Sequence, residues 1–134
     1  LRLEITARGE PSVPGLQADR LELIGRLAML DGRWDDAVTA LDQAASMRAV
    51  NRNYRSMATV LATAAQACER AQRPEDAAYR YLRAARSAAL SGETERATVW
   101  LQESVRLADL AGAESLLQEA RRFQSLLTQE SSRQ

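Results

Sequence analysis

The sequence has no histidine and only one cysteine, Cys68, among its 134 residues. A single cysteine excludes a disulfide within the chain and any cluster of cysteine ligands, and the lack of histidine removes the commonest metal ligand and general base. Cys68 stands in the apolar stretch LATAAQAC, where we expect a small buried hydrophobic residue and not a reactive thiol. The sequence therefore predicts no catalytic residue, no metal site and no cofactor.

Lysine is also absent, so all 18 basic residues are arginine, and they balance 18 acidic residues. A neutral chain lacks a general electrostatic attraction for nucleic acid or anionic lipid. No apolar run approaches the ~18 residues of a membrane span. We therefore expect neither nucleic-acid binding nor insertion into a membrane.

The first residues, LRLEITARGE, contain neither an initiator methionine nor the apolar core of a signal peptide. Arginine used in place of lysine is typical of GC-rich bacterial genomes. We expect a piece of a larger bacterial protein, either cytoplasmic or, if the parent is a lipoprotein or a secreted protein, periplasmic.

Aromatic residues make up only 4% of the chain, while alanine and leucine dominate its apolar residues. This composition favours closely packed helices over a sheet rich in aromatic and β-branched residues. Glycine and proline divide the chain into segments of helical length with apolar residues at three- and four-residue spacing. The predicted helices are 16–30, 34–49, 54–71, 74–90, 94–111 and 113–128, and the short connections make them antiparallel neighbours.

The segments before and after these helices are predicted separately. Residues 1–15 are interpreted as an N-terminal extension or as the end of a preceding helix, LRLEI, which would place more repeats upstream. Residues 129–134 are expected to be a polar, frayed tail.

The same pattern occurs twice, as GRWDDAVTALDQA at 32–44 and as QRPEDAAYRYLRA at 72–84. When the two are aligned, Ala37 matches Ala77 and Asp36 matches Asp76, a period of 40 in residue number. Repetition at such a period is typical of a solenoid. In the first pair of helices the pattern consists of Leu21, Ile24, Gly25, Ala28, the turn DGRW, Ala37, Leu41 and Ala44. In the second pair it consists of Leu61, Ala64, Ala65, Cys68, the turn QRP, Ala77, Tyr81 and Ala84.

These residues resemble the tetratricopeptide repeat, in which bulky residues alternate with small ones that let paired helices approach closely. Gly25 has a packing role in this interpretation. The resemblance implies three antiparallel hairpins, at about 16–50, 53–91 and 93–128, stacked as a right-handed α-solenoid. A different α-hairpin repeat and a six-helix bundle remain alternatives.

The match departs from the family in two respects. The period is longer than the family's usual length of roughly 34 residues, which implies longer helices. The last helix matches only in a frame shifted by one residue, where its stripe is Leu116, Ala120 and Phe123, and this shift implies a shorter final turn.

The resemblance also implies a concave groove, lined by the first helix of each hairpin, that holds a peptide or a partner helix. Arg26, Gln66 and Arg106 occupy equivalent places, so we expect a row of donors for a carboxylate or for peptide carbonyls. A solvated polar face neutralised by its own acids is the alternative. The predicted groove consists of Asp19, Glu22, Arg26, Met29, Thr59, Gln66, Glu69, Arg70, Gln102, Arg106 and Asp109.

The sequence thus predicts a non-catalytic scaffold for protein–protein interaction. Self-association, as a homodimer of a regulator or lipoprotein, is the alternative. The paired acids Asp35–Asp36 and Glu75–Asp76 lie in the first turns of predicted helices, where the helix dipole favours carboxylates. They therefore do not indicate an enzyme. RNA binding is disfavoured by the neutral charge.

Overall fold

The computed structural model describes residues 14–132, which form six α-helices. No strand occurs in this range, so the predicted all-α class is confirmed. Each helix packs against the next one along the chain. The helices are α1 (Pro14–Leu30), α2 (Trp34–Val50), α3 (Tyr54–Arg70), α4 (Pro74–Leu90), α5 (Thr94–Ala111) and α6 (Glu114–Ser132).

The two outer helices differ from the prediction at their free ends. Of the predicted N-terminal segment, Pro14 and Gly15 belong to α1, because a proline suits the first turn of a helix, while 1–13 lie outside the described residues. The last helix extends past its predicted end at Thr128, because residues 129–132 continue α6. No glycine or proline follows Gly112, and glutamine and glutamate favour a helix, so nothing ends α6 at Thr128. Residues 133–134 lie outside the described part of the chain.

The helices begin at equal intervals along the chain, at residues 14, 34, 54, 74, 94 and 114. The period of 40 seen in the sequence therefore contains two helices, each with its own turn. Equivalent positions of successive helices differ by 20 in residue number.

The five turns share one backbone geometry. Residues 32, 52, 72, 92 and 112 are left-handed, with φ between 57° and 80°. The residue after each donates its N–H to the carbonyl five residues earlier, at 2.8–2.9 Å, as in a Schellman motif. The carbonyl of that same residue accepts the N–H of the fourth residue of the next helix, at 2.9–3.1 Å. The same residue thus forms a backbone hydrogen bond with the helix before it and another with the helix after it, so the connection contains no unbonded linker residue between them.

The core is built mainly from alanine, with single leucines between the small side chains. Two clusters adjoin along the molecule, and Trp100, Val105 and Leu116 pack against both. The predicted burial of Cys68 is confirmed, and burial raises the pKa of its thiol. The largest fully buried leucines are Leu41, Leu61, Leu82 and Leu101.

Gly25 lets α2 pack closely against α1. A Cβ added there would lie 2.6 Å from Leu41 Cγ and 2.8 Å from Leu41 Cδ2. Leu41 is only 1% exposed, so its side chain has no space into which it could move. The predicted packing role of Gly25 is confirmed.

Arg48 occupies a core position at which α1, α3, α4 and α5 have a small residue. Its side chain is only 10% exposed, and Nη2 donates to Glu22 at 2.9 Å and also to Asp19. Burial lowers the pKa of Arg48, but the hydrogen bonds with Asp19 and Glu22 raise it more. This buried cation ties α2 to α1, although its Nε has no hydrogen-bond partner. The equivalent residues are Ala28, Cys68, Ala88 and Ala108.

The last helix keeps the 20-residue spacing of the others. The predicted shorter turn is not found, because Gly112 and Ala113 have the same geometry as the equivalent residues of the other turns. The connection has one residue fewer only because α5 extends to Ala111, and α6 still begins at Glu114. Its buried residues, Leu117 and Ala120, belong to two different predicted frames. Since α6 packs mainly on α5, with few contacts to α4, its buried face is not fixed by neighbours on both sides.

We predict that Gly25→Ala lowers the free energy of unfolding by about 1–2 kcal/mol. Overpacking costs ~1–3 kcal/mol, and the better helix propensity of alanine recovers up to ~1 kcal/mol. Gly15→Ala is the matched control in the same helix, because nothing lies within 4 Å of a Cβ added there. Urea denaturation measures both variants, and equal stability of the two would contradict the packing role.

The left-handed turns give a second prediction, because Arg52 and Gln72 adopt φ of 57° and 60° without being glycine. A left-handed residue with a Cβ costs ~1–2 kcal/mol, and glycine adds entropy to the unfolded chain, so Arg52→Gly and Gln72→Gly should each stabilise by about 0.5–1 kcal/mol. Gly92→Ala should destabilise by a similar amount, through φ alone, since no atom lies within 4 Å of its added Cβ. Denaturation midpoints that move in the opposite directions would show that the turns are not strained in this way.

Candidate partner-binding cleft

All eleven residues of the predicted groove are at least partly exposed. The apolar periodicity was therefore sufficient to place them off the core. They do not, however, form one continuous site, because several are already engaged by neighbouring helices.

One cleft lies between the C-terminal ends of α1 and α3, and its volume is ≈ 910 Å³. Four predicted groove residues line it. Its other walls come from the end of α1, the following turn and α4. The lining residues are Met29, Leu30, Gly32, Trp34, Gln66, Glu69, Arg70 and Tyr81.

Glu69 lies on the inner wall of the cleft and is fixed there by two hydrogen bonds. The Tyr81 hydroxyl donates to Glu69 Oε1 at 2.7 Å, and Arg106 Nη2 donates to Glu69 Oε2 at 3.3 Å. Burial, together with the bond to Glu69, raises the pKa of the Tyr81 hydroxyl. Glu69 is therefore fixed by residues of both α4 and α5 and forms a rigid part of the cleft wall.

Arg106 does not face the groove as an uncommitted donor. Its Nε and Nη2 donate to Glu103 at 3.0 and 3.1 Å, in addition to the contact with Glu69. These hydrogen bonds, Glu103 first, raise the pKa of Arg106. Of the expected donor row, only Arg26 and Gln66 have no charged partner within the described residues.

Polar bridges join α3 to α5 along their length. Arg55 Nε pairs with Glu93 at 2.8 Å, Arg96 Nη2 donates to the Thr59 hydroxyl at 2.7 Å, and Arg106 reaches Glu69. Between the C-terminal halves of α1 and α3 (22–30 and 62–70), no such bridge occurs. The gap between α1 and α3 is therefore open where the gap between α3 and α5 is closed.

Two polar side chains in the cleft are uncommitted. Gln66 and Arg70 are exposed and form no hydrogen bond or ion pair with the described chain. They face the cleft that Met29, Leu30 and Trp34 line with apolar surface. The cleft therefore has an apolar wall beside one cation and one amide.

The remaining predicted residues lie elsewhere. Asp19 and Glu22 are bound to Arg48, and Thr59 accepts from Arg96. Gln102 lines a separate cleft of ≈ 860 Å³ between α5 and α6. Arg26 and Asp109 are exposed outside both clefts.

Four lining residues were not among the predicted groove residues, namely Leu30, Gly32, Trp34 and Tyr81. Trp34, part of the predicted turn DGRW, packs partly against the core and lines the cleft with its remaining surface. Tyr81 was assigned to the buried stripe of α4, which is confirmed, but its hydroxyl also reaches the cleft wall. Residue spacing carries no signal for these contacts, since Trp34 follows a turn and Tyr81 lies on a second helix.

The described residues contain no group of three or more side chains placed to hold a metal ion. Both acidic residues that open α2 are partly neutralised, Asp35 by Arg73 and Asp36 by Arg33. None of the helices within 14–132 is long and apolar enough to cross a membrane.

Neither a scan of protein-family models nor a search of curated proteins gives a match to this chain. The similarity to the tetratricopeptide repeat therefore rests on the pattern of residues alone.

Proposed function

We propose that this protein is a non-catalytic scaffold for protein–protein interaction, and that it binds a peptide or a partner helix in the cleft between α1 and α3. In this proposal its six helices form three antiparallel hairpins, stacked as a right-handed solenoid of the tetratricopeptide type. The single observation that carries the function is this unbridged cleft, with its apolar wall and two uncommitted donors.

Support for the stacking comes from polar contacts between alternate helices. Arg80 of α4 holds Asp42 of α2 through two hydrogen bonds, at 3.1 and 2.7 Å. Arg73 pairs with Asp35 at the same separation along the chain. On the other side Arg96 donates to Thr59 and joins α5 to α3. Contacts of α2 with α4, and of α3 with α5, are those that a stack of hairpins makes.

The chemistry of the cleft indicates the kind of partner. Met29 and Trp34 offer a surface for an apolar side chain, and methionine adapts to partners of different shape. Arg70 and Gln66 are donors for a carboxylate and for backbone carbonyls. A peptide that carries an apolar residue next to an acidic one can contact both the apolar surface and the two donors of the cleft.

Self-association is the second candidate, and the apolar side chains exposed on α1 favour it. Leu23, Leu27 and Leu30 are 58%, 50% and 83% exposed. Light scattering across a concentration series distinguishes a dimer from a monomeric peptide receptor.

We predict that a displayed library of random peptides, selected on the immobilised protein, yields sequences that pair an apolar residue with an acidic one. Arg70→Glu should weaken the binding of the selected peptides roughly 10- to 100-fold, because a charged hydrogen bond is replaced by repulsion. Trp34→Ala should weaken it as well. Fluorescence anisotropy measures the affinities.

Arg122→Glu is the matched control, since Arg122 is an exposed arginine on α6, away from the cleft. A selection without binders would contradict a peptide receptor. Binders unaffected by both cleft substitutions would place the site elsewhere on the molecule.

A further inference from the structure

The surface beside the cleft continues onto α5. Arg106 of α5 donates to Glu69, which lies on the cleft wall. Asp109 and Leu110 follow Arg106 by three and four residues, which places them one helical turn further along the same side of α5. Both are exposed, Leu110 to 71%. A partner that fills the cleft can therefore reach this side of α5 as well.

Two polar bridges show that α3 and α5 run parallel. Thr59 pairs with Arg96 near one end of the helices, and Glu69 pairs with Arg106 nearer the other. Both pairs are 37 apart in residue number. The cleft in turn lies between the C-terminal ends of α1 and α3. The C-terminal ends of α1, α3 and α5 are therefore side by side, and one extended partner can cross all three.

The unpaired charges on this surface have opposite signs on α3 and α5. Arg70 of α3 is an exposed cation without a charged partner among the described residues. On α5, Glu69 and Glu103 share Arg106, and Asp109 pairs with none of the residues within 14–132. Three carboxylates thus stand beside one guanidinium, and the α5 side of the surface is acidic.

Asp109 does not stabilise its own helix. It lies near the end of α5, where the helix dipole disfavours a carboxylate, and the last turn of this helix has no basic residue. The next residue, Leu110, offers exposed apolar surface to the stem of a long basic side chain. Asp109 and Leu110 are therefore suited to contact an arginine or lysine from outside the chain.

We propose that the partner is an extended peptide that crosses α1, α3 and α5 and carries, in this order, an apolar, an acidic and a basic residue. The inference rests on the proposed function and adds to it the order of the charges and the contact with α5. The apolar residue packs on Trp34, the acidic residue pairs with Arg70, and the basic residue pairs with Asp109.

The spacing of these three residues follows from the helices. Helices in contact lie ~8–10 Å apart. A peptide in the polyproline II conformation rises ~9 Å over three residues, and every third side chain lies on the same side. The apolar, acidic and basic residues of the partner are therefore three residues apart.

Two peptides of identical composition test the order of the charges, with proline and serine as spacers. One has leucine, glutamate and arginine at its first, fourth and seventh residues, and the other has glutamate and arginine exchanged. At low salt the protein should bind the first roughly 10-fold more tightly, because two attractive ion pairs replace two repulsive ones. The same pair written backwards covers the opposite chain direction, and fluorescence anisotropy measures the affinities.

The double variant Arg70→Asp, Asp109→Arg exchanges the two charges on the protein and should invert the preference. Both side chains are exposed and form no bond with the described residues, so the exchange leaves the packing intact. Arg122→Asp with Glu130→Arg is the matched control, since it exchanges two exposed charges on α6, and it should leave the preference unchanged.

Equal binding of the two peptides in both chain directions would overturn the inference and leave the proposed peptide receptor intact. A preference that the exchange of Arg70 and Asp109 does not invert would also overturn the inference, because other groups would then set the order. If peptides selected from the library bind and these peptides do not, the inference is again wrong. If no peptide of either kind binds, the proposed function itself fails.

Discussion

The structure depends on a backbone constraint: every turn uses one residue both to end a helix and to begin the next. Arg33, for example, donates its N–H to Ala28 and accepts from Ala37 through its carbonyl. Repetition of this turn sets all six helix starts at equal intervals along the chain. Equivalent positions then point in equivalent directions, which brings Asp42 opposite Arg80 and Thr59 opposite Arg96. The cleft between α1 and α3 is open for a different reason, because the C-terminal halves of these two helices lack the polar bridges that join α3 to α5.

The alanine-rich core allows helices at this spacing to pack closely. Small side chains allow close approach of the helices, as the contact of Gly25 with Leu41 illustrates. Arg48 is the exception, since it places a cation where the other internal helices have a small residue and needs two acids of α1 to satisfy it. Removal of both acids would leave the Arg48 charge buried without a partner, which is strongly destabilising. The attachment of α1, and with it one wall of the cleft, therefore depends on Asp19 and Glu22.

Local features of the sequence were enough to predict the fold class and most helix boundaries. Pro74 and the glycines at 32, 92 and 112 mark turns, but the left-handed conformations of Arg52 and Gln72 left no comparable mark. Spacing also placed the polar groove residues outside the core. Spacing did not reveal that Arg106 forms ion pairs with Glu103 and Glu69. Pairing between helices depends on how far apart the helices are and how each is rotated about its axis, and an offset in residue number specifies neither. Trp34 was missed for a related reason, since part of its side chain packs on the core while the rest lines the cleft.

The most direct test of the 20-residue constraint is the insertion of one glycine into the connection 71–73, with the same insertion after Gln129 as control. In a fold with adaptable loops the cost is small, because even doubling a flexible loop costs only ~0.6 kcal/mol. Since Arg73 bonds to both α3 and α4 through its backbone, the account predicts a loss in the free energy of unfolding several times larger than this value. An insertion at 71–73 that is no more costly than the control would contradict it.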